Sequence, residues 1–597
     1  MCRWEKTAEL SGYVIELLGQ LTFIELLREQ TMSIRQLEIR NFRGIEEFSW
    51  SPNGDLVCLI GPNNSTKSTV LSAIELALSP RWRIPFEDSD FHEGRISDPI
   101  RIRATVGNVP DALLTDQKYG LHIRGWKDGE LFDEPRDDDA VVLTVQLEVD
   151  KTLEPEWSVV TDRSEDVRIS ARDREKLGCM RLGGYIERDL TWKRGSALTR
   201  ITDSRDEIEE SFVEVTRRAK SDTNIEEIDV LSEAASDVQE AAEELGVRAE
   251  HDSFAPRLDF QDIRPGKGAM SLHDGPVPLR KTGLGTRRLV SLAAQSQAES
   301  RIVLVDELES ALEPFRIRKL VRTLRERSSR QQTIVTTHSP ICIEEMKASE
   351  LTLMRSNEST TAQRIPEELQ GFVRANSEAL VSRKIVVCEG KTERGICRGL
   401  DQAFTERDGR LPLACFGTVP VNGGGSEASE VAREFCELDY DVAFFADSDR
   451  DFSPSTTELE ELGVTVFQWE NDCCTETRVC EDLPWDALSQ LIRTRLRHVG
   501  DEERYTVRDR LANKLSKPPA SLELENALEN WDEIEANERE SWRGAIADVS
   551  NRHSWFKNVE LGEVLGRLIV DSFKDLRTEN LGTLLEDLWN WCKPTNE

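Results

Sequence analysis

Disulfide-scaffold spacing, zinc-ligand spacing and long apolar runs are all missing from this chain of 597 residues. Its 12 cysteines include no CxxC pair, and its 7 histidines do not cluster beside them, so the thiols read as reduced and mostly buried. No apolar stretch reaches the ~20 residues that a membrane-spanning helix needs. The nearest, Gly12 to Leu27, is broken by Glu16 and Glu25, so neither a transmembrane helix nor a signal peptide is expected, and a cytoplasmic location is. Tyrosine is scarce at 5 residues, none in an evident strand-passage domain, which with the missing zinc spacing argues against topoisomerase or primase activity. Net positive charge is also absent. Lys and Arg total 77 against 112 Asp and Glu, a balance of −35, which excludes a uniformly basic glove for a polyanion. Contact with nucleic acid must then use local basic stretches or metal ions that bridge acids to phosphate.

What is present points to a soluble globular protein of about three or four domain-sized units. Its hydrophobic share of 38% and its 13 Trp and 20 Phe supply several cores. Met32 opens the strand-like sequence MSIRQLEIRNFRG, so residues 1–31 are an extension, from an upstream start or as an extra helix. Residues 33–60 read as strands of a mixed sheet, and Ile100 to Val106 and Ala140 to Val149 as further strands. Between about 204 and 250 the spacing turns helical and acidic, as in an inserted pair of helices that serves as a dimerisation arm or packs on its own domain. Strands return at Ile302 to Val305 and Thr333 to Thr336, with an arginine-rich helix between them. A change of domain is expected near 365–380. Beyond it come four strand-like runs, Lys384 to Cys388, Cys415 to Val421, Val442 to Ala446 and Val464 to Trp469, separated by helical stretches as in a parallel sheet. From Pro484 onward the chain is helical and Trp-rich.

Gly61-Pro62-Asn63-Asn64-Ser65-Thr66-Lys67-Ser68 follows an apolar strand and opens a helix, where backbone amides and the helix N-terminus face a phosphate chain. Lys67 is placed to neutralise the β and γ phosphates and Ser68 to hold Mg²⁺. Thr66 stands where a glycine normally precedes the lysine. If the loop needs a positive φ there, threonine carries strain. The strand RIVLVD ends in Asp306, a water-mediated Mg²⁺ ligand, and Glu307, which would polarise the attacking water. Thr336-Thr337-His338-Ser339-Pro340 ends another strand and lets His338 sense the γ phosphate. The glycines of Thr282-Gly283-Leu284-Gly285 sit at a helix start that can offer amides to the nucleotide of a second protomer. These four elements in this order resemble the ABC-type ATPases of the branch shared with SMC proteins. The resemblance implies an ATP set of Gly61, Asn63, Lys67, Ser68, Thr69, Asp306 and His338, completed across a dimer by Gly283 and Gly285. Leu308 and Glu313 replace the proline and histidine usual in this branch, so nucleotide binding is a safer expectation than fast turnover.

In the later strands, Glu389-Gly390-Lys391-Thr392-Glu393 follows one strand end and Asp447-Ser448-Asp449-Arg450 another. Residues i and i+2 on a strand share a face, so both aspartates can enter one crevice with Glu389 and Glu393. Such a cluster is unfavourable without cations, and an oxygen-only set selects Mg²⁺ or Mn²⁺. The pattern EGxTE then DxDR, with Val421-Asn422-Gly423-Gly424-Gly425-Ser426 between, resembles the TOPRIM domain.

An ABC-type ATPase followed by TOPRIM resembles the OLD (overcoming lysogenization defect) family of nucleases, which includes effectors of Gabija-type anti-phage systems. Asp90-Phe91-His92, Trp469, the segment TETRVCEDLP and Trp555-Phe556-Lys557 extend the match over about residues 32–590. By that resemblance the fold is α/β: an ATPase domain over 32–370, a TOPRIM domain over 380–482, and a helical region over 483–597 that completes the nuclease site. Glu476 joins the metal ligands Glu389, Glu393, Asp447 and Asp449, and Lys557 stabilises phosphate charge. Two ions would align the attacking water and stabilise the leaving oxygen. The implied activity is an ATP-regulated, metal-dependent endonuclease acting as a homodimer or homotetramer on DNA, with an accessory defence protein as a further partner. RNA cleavage and a sensor with an idle nuclease site are the alternatives.

Overall fold

The computed structural model describes residues 32–81, 84–182, 186–192, 196–202, 228–251, 253–258, 270–297, 301–356, 359–499, 501–515 and 528–593. The expected extension over 1–31 and the first half of the acidic helical insertion, residues 203–227, lie outside them. The chain divides into two compact units, Met1–Ser377 and Glu378–Glu597.

The first unit contains two main sheets where the sequence suggested one mixed sheet near its start. Ser33–Phe42 and Ile45–Trp50 form a hairpin that joins Ile100–Gly107 and Ala140–Val149 in an eight-stranded antiparallel sheet. Leu56–Ile60 instead lies inside a six-stranded sheet ordered Cys179–Leu182, Ile302–Val305, Gln332–Thr336, Leu56–Ile60, Leu351–Ser356, Thr360–Arg364, parallel except for its last pair. The difference has a physical cause. Ile45–Trp50 leaves Glu46, Glu47 and Ser49 exposed, as in a sheet with one wet face, whereas all five residues of Leu56–Ile60 are buried, as in a covered parallel sheet. The helix Lys67–Leu78 packs against strands of both sheets and contributes Val70, Leu71, Ala73, Ile74, Ala77 and Leu78 to their common core. The described half of the acidic insertion, Asp229–Glu244, buries Leu231, Ala235 and Val238 and packs on its own unit, against Leu284–Gln297.

The second unit holds a four-stranded parallel sheet ordered Thr418–Asn422, Lys384–Cys388, Asp441–Ala446, Thr465–Gln468. The strand expected from Cys415 starts three residues later. Leu413–Phe416 is a 3-10 turn, and Gly417, at φ 70°, redirects the chain into the strand. From Lys384–Cys388 the chain crosses first to one neighbour and then to the other, so a crevice opens beyond the ends of Lys384–Cys388 and Asp441–Ala446.

Helix Lys391–Asp408 leaves that crevice and crosses Val559–Asp571 at very close range. A Cβ on Gly395 would stand 2.6 Å from Gly562 Cα, one on Gly399 2.2 Å from Glu563 O, and one on Gly566 2.6 Å from Ile396 O. The paired GxxxG spacings thus bring the helical region onto the sheet domain. One core follows, running from Val386 and Phe445 through Phe404 to Trp555, Leu565 and Trp589. Phe404 meets Phe573 and Trp589 edge-on at 5.2 and 4.9 Å, contacts that add ~1 kcal/mol each beyond simple burial. Among the described residues no helix is long and apolar enough to cross a membrane.

Candidate functional site

The strand Leu56–Ile60 delivers Gly61 at φ 138°, where a side chain would collide with Met354 O at 2.4 Å, so only glycine lets the loop turn there. The loop ends on Thr66 at φ 61° and ψ 8°, directly before the helix begins at Lys67. The left-handed backbone is therefore kept with a β-branched residue in it, the strained alternative raised by the sequence. Thr66 Oγ1 donates to Ser65 O at 2.7 Å, and its methyl faces Gly44 at the tip of the first hairpin. Lys67 is buried and folds back into the loop, donating to Gly61 O (3.0 Å), Pro62 O (2.8 Å) and Ser65 Oγ (2.9 Å). Burial lowers its pKa to about 8, against the opposing pull of Asp306. Asn63 lies exposed on the loop, and Thr69 is half-buried in the first helical turn.

Asp306 is the hub of this region. Its Oδ1 accepts from Ser68 Oγ (2.9 Å) and Thr336 Oγ1 (2.7 Å), and its Oδ2 meets Arg181 Nη2 at 2.6 Å. Burial would raise its pKa, but the Thr336 hydroxyl and the Arg181 charge outweigh it and hold the carboxyl below its usual range. Ser68 and Asp306 together offer a hydroxyl and a carboxylate, a donor pair suited to Mg²⁺. Glu307 is exposed, at φ 47°, with its amide donating to Thr336 Oγ1 at 2.8 Å. His338 is half-buried, and burial together with the Lys67 charge lowers its pKa, which favours the neutral ring.

Two residues unnoticed in the sequence organise these groups. Glu309 accepts from Thr337 Oγ1 (2.6 Å) and from the His338 amide (2.7 Å), fixing the turn that presents His338. Arg288 donates to the carbonyls of Asp306 (2.6 Å) and Glu307 (2.5 Å), locking the acid turn to the helix Leu284–Gln297. Of the two glycines at that helix start, Gly283 is open to solvent, and Gly285 packs where a Cβ would strike Ala311 O at 2.4 Å. Leu308 is fully buried, and Glu313 directly precedes helix Pro314–Arg327 and pairs with Arg316 at 3.1 Å. The Asp90-Phe91-His92 segment is structural: Asp90 pairs with Arg43 (2.9 Å), Phe91 is buried, and His92 Nδ1 meets Arg43 O.

The crevice of the second unit gathers all the expected acids. Glu389 ends Lys384–Cys388, Glu393 lies in the first turn of Lys391–Asp408, Asp447 and Asp449 follow Asp441–Ala446, and Glu476 opens the helix Thr475–Asp482. Glu389, Glu393, Asp447 and Glu476 are 4–7% exposed. Glu389 Oε2 accepts from the Asp447 amide (3.0 Å), and its Oε1 pairs with Arg450 Nη1 (3.0 Å). Arg450 Nε lies 3.7 Å from Asp449 Oδ1. Thr475, another residue the sequence did not flag, joins three partners through Oγ1: Asp447 Oδ1 (2.7 Å), Glu393 Oε1 (3.0 Å) and the indole N–H of Trp469 (2.9 Å). Its amide also donates to Asp447 at 2.8 Å.

Burial, followed by the Asp447 charge, pushes Glu389 up to about 7, and the same two causes raise Glu393. Burial also raises Asp447 and Glu476. Glu476 Oε1 has no hydrogen-bond partner although it is buried, an unpaired oxygen that a cation would satisfy. Lys557 is exposed, with its charge acting on Glu476, and the preceding Phe556 carbonyl accepts from Thr392 Oγ1 at 3.1 Å beside Glu393. The donor chemistry fits Mg²⁺ or Mn²⁺. Among the described residues, however, no three such side chains already converge as a metal cage, because their oxygens are turned toward Thr475, backbone amides and Arg450.

Residues 56–344 match the family described as "AAA domain, putative AbiEii toxin, Type IV TA system". An OLD nuclease of Thermus scotoductus is 23% identical over 478 residues, which cover 72% of this chain and 84% of that protein. Among solved structures, an SMC head bound to the C-terminal winged-helix domain of ScpA (TM-score 0.37, 14% identity) and the SMC head domain from Thermotoga maritima (TM-score 0.28, 16% identity) each align over 56% of this chain and 99% of their own. The share matched by the OLD nuclease is larger than the whole of Met1–Ser377, so that likeness necessarily enters the second unit. The resemblance to the OLD family read from the motifs is thereby borne out, and the match to an AAA domain over residues 56–344 supports the reading of that segment as nucleotide-binding.

Proposed function

We propose that this chain is an ATP-regulated endonuclease that uses divalent metal ions to nick or cleave DNA in phage defence or DNA processing. The observation that carries the reading is that buried carboxylates line one crevice at the switch point of a parallel sheet, with pKa values pushed up and one oxygen of Glu476 left unpaired. In this reading residues 380–482 are a TOPRIM domain and 483–597 complete its site, while 32–370 form the ATPase. The OLD nuclease relative supports the pairing of the two activities. Glu389, Glu393, Asp447, Asp449 and Glu476 hold the ions, which supply Lewis-acid activation of water and charge neutralisation at phosphate. Thr475 and Trp469 keep Asp447 and Glu393 aimed into the crevice. Lys557, solvent-exposed and held beside Glu476, presents its ammonium to the substrate phosphate.

In the ATPase, Lys67 leaves its loop carbonyls for the phosphates, Ser68 and Asp306 hold Mg²⁺, Glu307 orients water, and His338 faces the γ phosphate. The open Gly283 and the exposed Leu284 leave that helix start free for the nucleotide of a second protomer, as a homodimer or homotetramer requires. Strain at Thr66 and Glu307 suits a site that senses ATP more than one that turns it over quickly. The test is cleavage of supercoiled plasmid, beside a structured RNA, in Mg²⁺ or Mn²⁺ with and without ATP, with Glu389→Ala as control. Metal-dependent nicking of plasmid that the variant loses is expected. Cleavage of RNA alone, or of neither substrate, would overturn the DNA assignment.

A further inference from the structure

Arg181 comes from the strand Cys179–Leu182, paired in register with Ile302–Val305, so that it stands beside Leu304, two residues before Asp306. Its guanidinium is only 19% exposed and is held from two directions. Nη2 lies 2.6 Å from Asp306 Oδ2, while Nη1 donates to Ser72 Oγ at 2.8 Å and lies 3.3 Å from Glu75 Oε2. Ser72 and Glu75 stand on the helix Lys67–Leu78 that begins at the phosphate loop, so one cation ties that helix to the acid that would accompany a metal ion. The remaining oxygen of Asp306 is shared by Ser68 and Thr336. The carboxylate is therefore hydrogen-bonded and offset by the chain itself, and Arg181, shared between Asp306 and Glu75, lowers the negative charge that these two acids set beside the helix of the phosphate loop.

We propose that Arg181 is a built-in counter-cation of the nucleotide site, which performs part of the charge neutralisation that Mg²⁺ otherwise supplies and so lets the site bind ATP with reduced dependence on the metal. The argument rests on the reading of this domain as nucleotide-binding. A cation already paired to Asp306 makes entry of a divalent ion less favourable, because the two positive charges share one carboxylate, and it makes entry of the triphosphate more favourable without the metal. Arg181 thus sets the balance between the two bound forms while touching neither the γ phosphate nor the attacking water. It is a positioning and charge-setting residue.

The experiment is equilibrium binding of a fluorescent ATP analogue to the full chain, in Mg²⁺ and in EDTA, for the wild type, Arg181→Ala and Arg181→Lys. The readout is the ratio of Kd in EDTA to Kd in Mg²⁺. A ratio near unity is expected for the wild type, rising about tenfold in Arg181→Ala, the order expected when a unit charge beside the site is removed and solvent screens much of its effect. Arg181→Lys keeps the charge and is expected to restore most of the wild-type ratio. A general loss of structure would weaken binding in both buffers together, so the ratio separates the charge role from a merely structural one. An unchanged ratio in Arg181→Ala, equal weakening in both buffers, or failure of lysine to restore the ratio would each overturn the proposal. Absence of binding by the wild type in both buffers would instead overturn the nucleotide reading, and this inference with it.

Discussion

Replacing Glu389 by Gln gives a test of the acidic crevice that does not depend on detecting cleavage. Glu389 is 5% exposed and its carboxyl is lifted from about 4.5 to about 7, first by burial and then by Asp447. A lift of that size corresponds to ~3 kcal/mol of preference for the protonated form in the folded protein. The sign follows from proton counting. Between about 4.5 and 7 the folded state binds more protons than the unfolded state, so stability falls as pH rises through that window, and the cost is complete above it. Glutamine carries no charge to desolvate, but it can accept from only one of the two donors now on the carboxylate, Arg450 and the Asp447 amide, which costs ~1 kcal/mol. Glu389→Gln is therefore expected to be ~2 kcal/mol more stable than the wild type at pH 8 in EDTA and slightly less stable near pH 5, with the curves crossing between. Urea unfolding of the full chain, followed by tryptophan fluorescence, reads the difference, which includes the relief of Glu393, whose carboxyl the Glu389 charge also raises. Saturating Mg²⁺ should stabilise the wild type and leave the variant nearly unmoved. A wild-type-minus-variant difference that stays flat from pH 5 to 8 would refute the argument that Glu389 is held in an unfavourable charged state.

Thr66→Gly should leave the fold intact and gain up to ~1 kcal/mol, since relief of the left-handed strain exceeds the extra backbone entropy lost by glycine; destabilisation beyond ~1 kcal/mol in thermal melts would count against strain at φ 61°. Arg450→Ala removes the cation that sits on Glu389 and Asp449, so calorimetric Mn²⁺ affinity should rise about tenfold, and unchanged affinity would mean that Arg450 does not compete with the ion. Gly399→Val forces a side chain into Glu563 O in the crossing of Lys391–Asp408 with Val559–Asp571 and should cost ~3 kcal/mol or more together with all nuclease activity; a melt within ~1 kcal/mol of wild type would contradict the crossing. Lys557→Ala, an exposed change, should leave unfolding unaltered and slow cleavage by ~10²-fold, measured by single-turnover nicking.

The parts of this architecture that the sequence revealed are those written in contiguous residues. Strand, glycine turn and helix follow one another at Leu56 to Leu78 and again at Lys384 to Asp408, so the positions of Lys67, Ser68, Glu389 and Glu393 at sheet edges were readable from local pattern alone. Asp306 and Asp447 were readable for the same reason, since each ends an apolar strand. The roles of Arg181, Glu309, Arg288 and Thr475 are not legible locally, because each matters through a partner that no local rule pairs with it: Arg181 through an acid 125 positions away, and Thr475 through Glu393, 82 positions away. The division of the first strands between two sheets did have a local signal. Leu56 to Ile60 is continuously apolar, whereas Ile45 to Trp50 mixes Glu46, Glu47 and Ser49 with its apolar residues, and that difference in composition distinguishes a strand covered on both faces from one covered on a single face. The close helix crossing was likewise written as two GxxxG spacings, but nothing in the sequence states which two helices meet there.

The charge distribution decides how such a protein can approach a polyanion. The most regular basic feature, helix Pro314–Arg327, is not available as a phosphate track, because Arg316, Arg318, Arg325 and Arg327 pair with Glu313, Glu345, Glu350 and Glu244 at 2.7–3.2 Å. Arg322 is also engaged, at 3.4 Å from Glu345. In the later helices Arg493 donates to the Leu528 carbonyl and Arg495 pairs with Glu503. With a balance of −35 and these arginines already matched to acids or carbonyls, counterion release from many phosphates is not expected to be the source of affinity for a polyanion. On the proposed function, nucleic acid would be gained mainly where ions neutralise the acidic crevice. Binding of a labelled duplex in Ca²⁺ should therefore depend steeply on the divalent ion and weakly on salt, losing about tenfold or less between 50 and 200 mM NaCl, where ~6 phosphate contacts would lose ~10³. Charge reversal at Arg322, the most exposed of these arginines, should leave affinity within about twofold. A steep salt dependence that persists in EDTA, or loss of binding on reversal of Arg322, would show that the basic helix reads the phosphate backbone and that its ion pairs open on contact with the substrate.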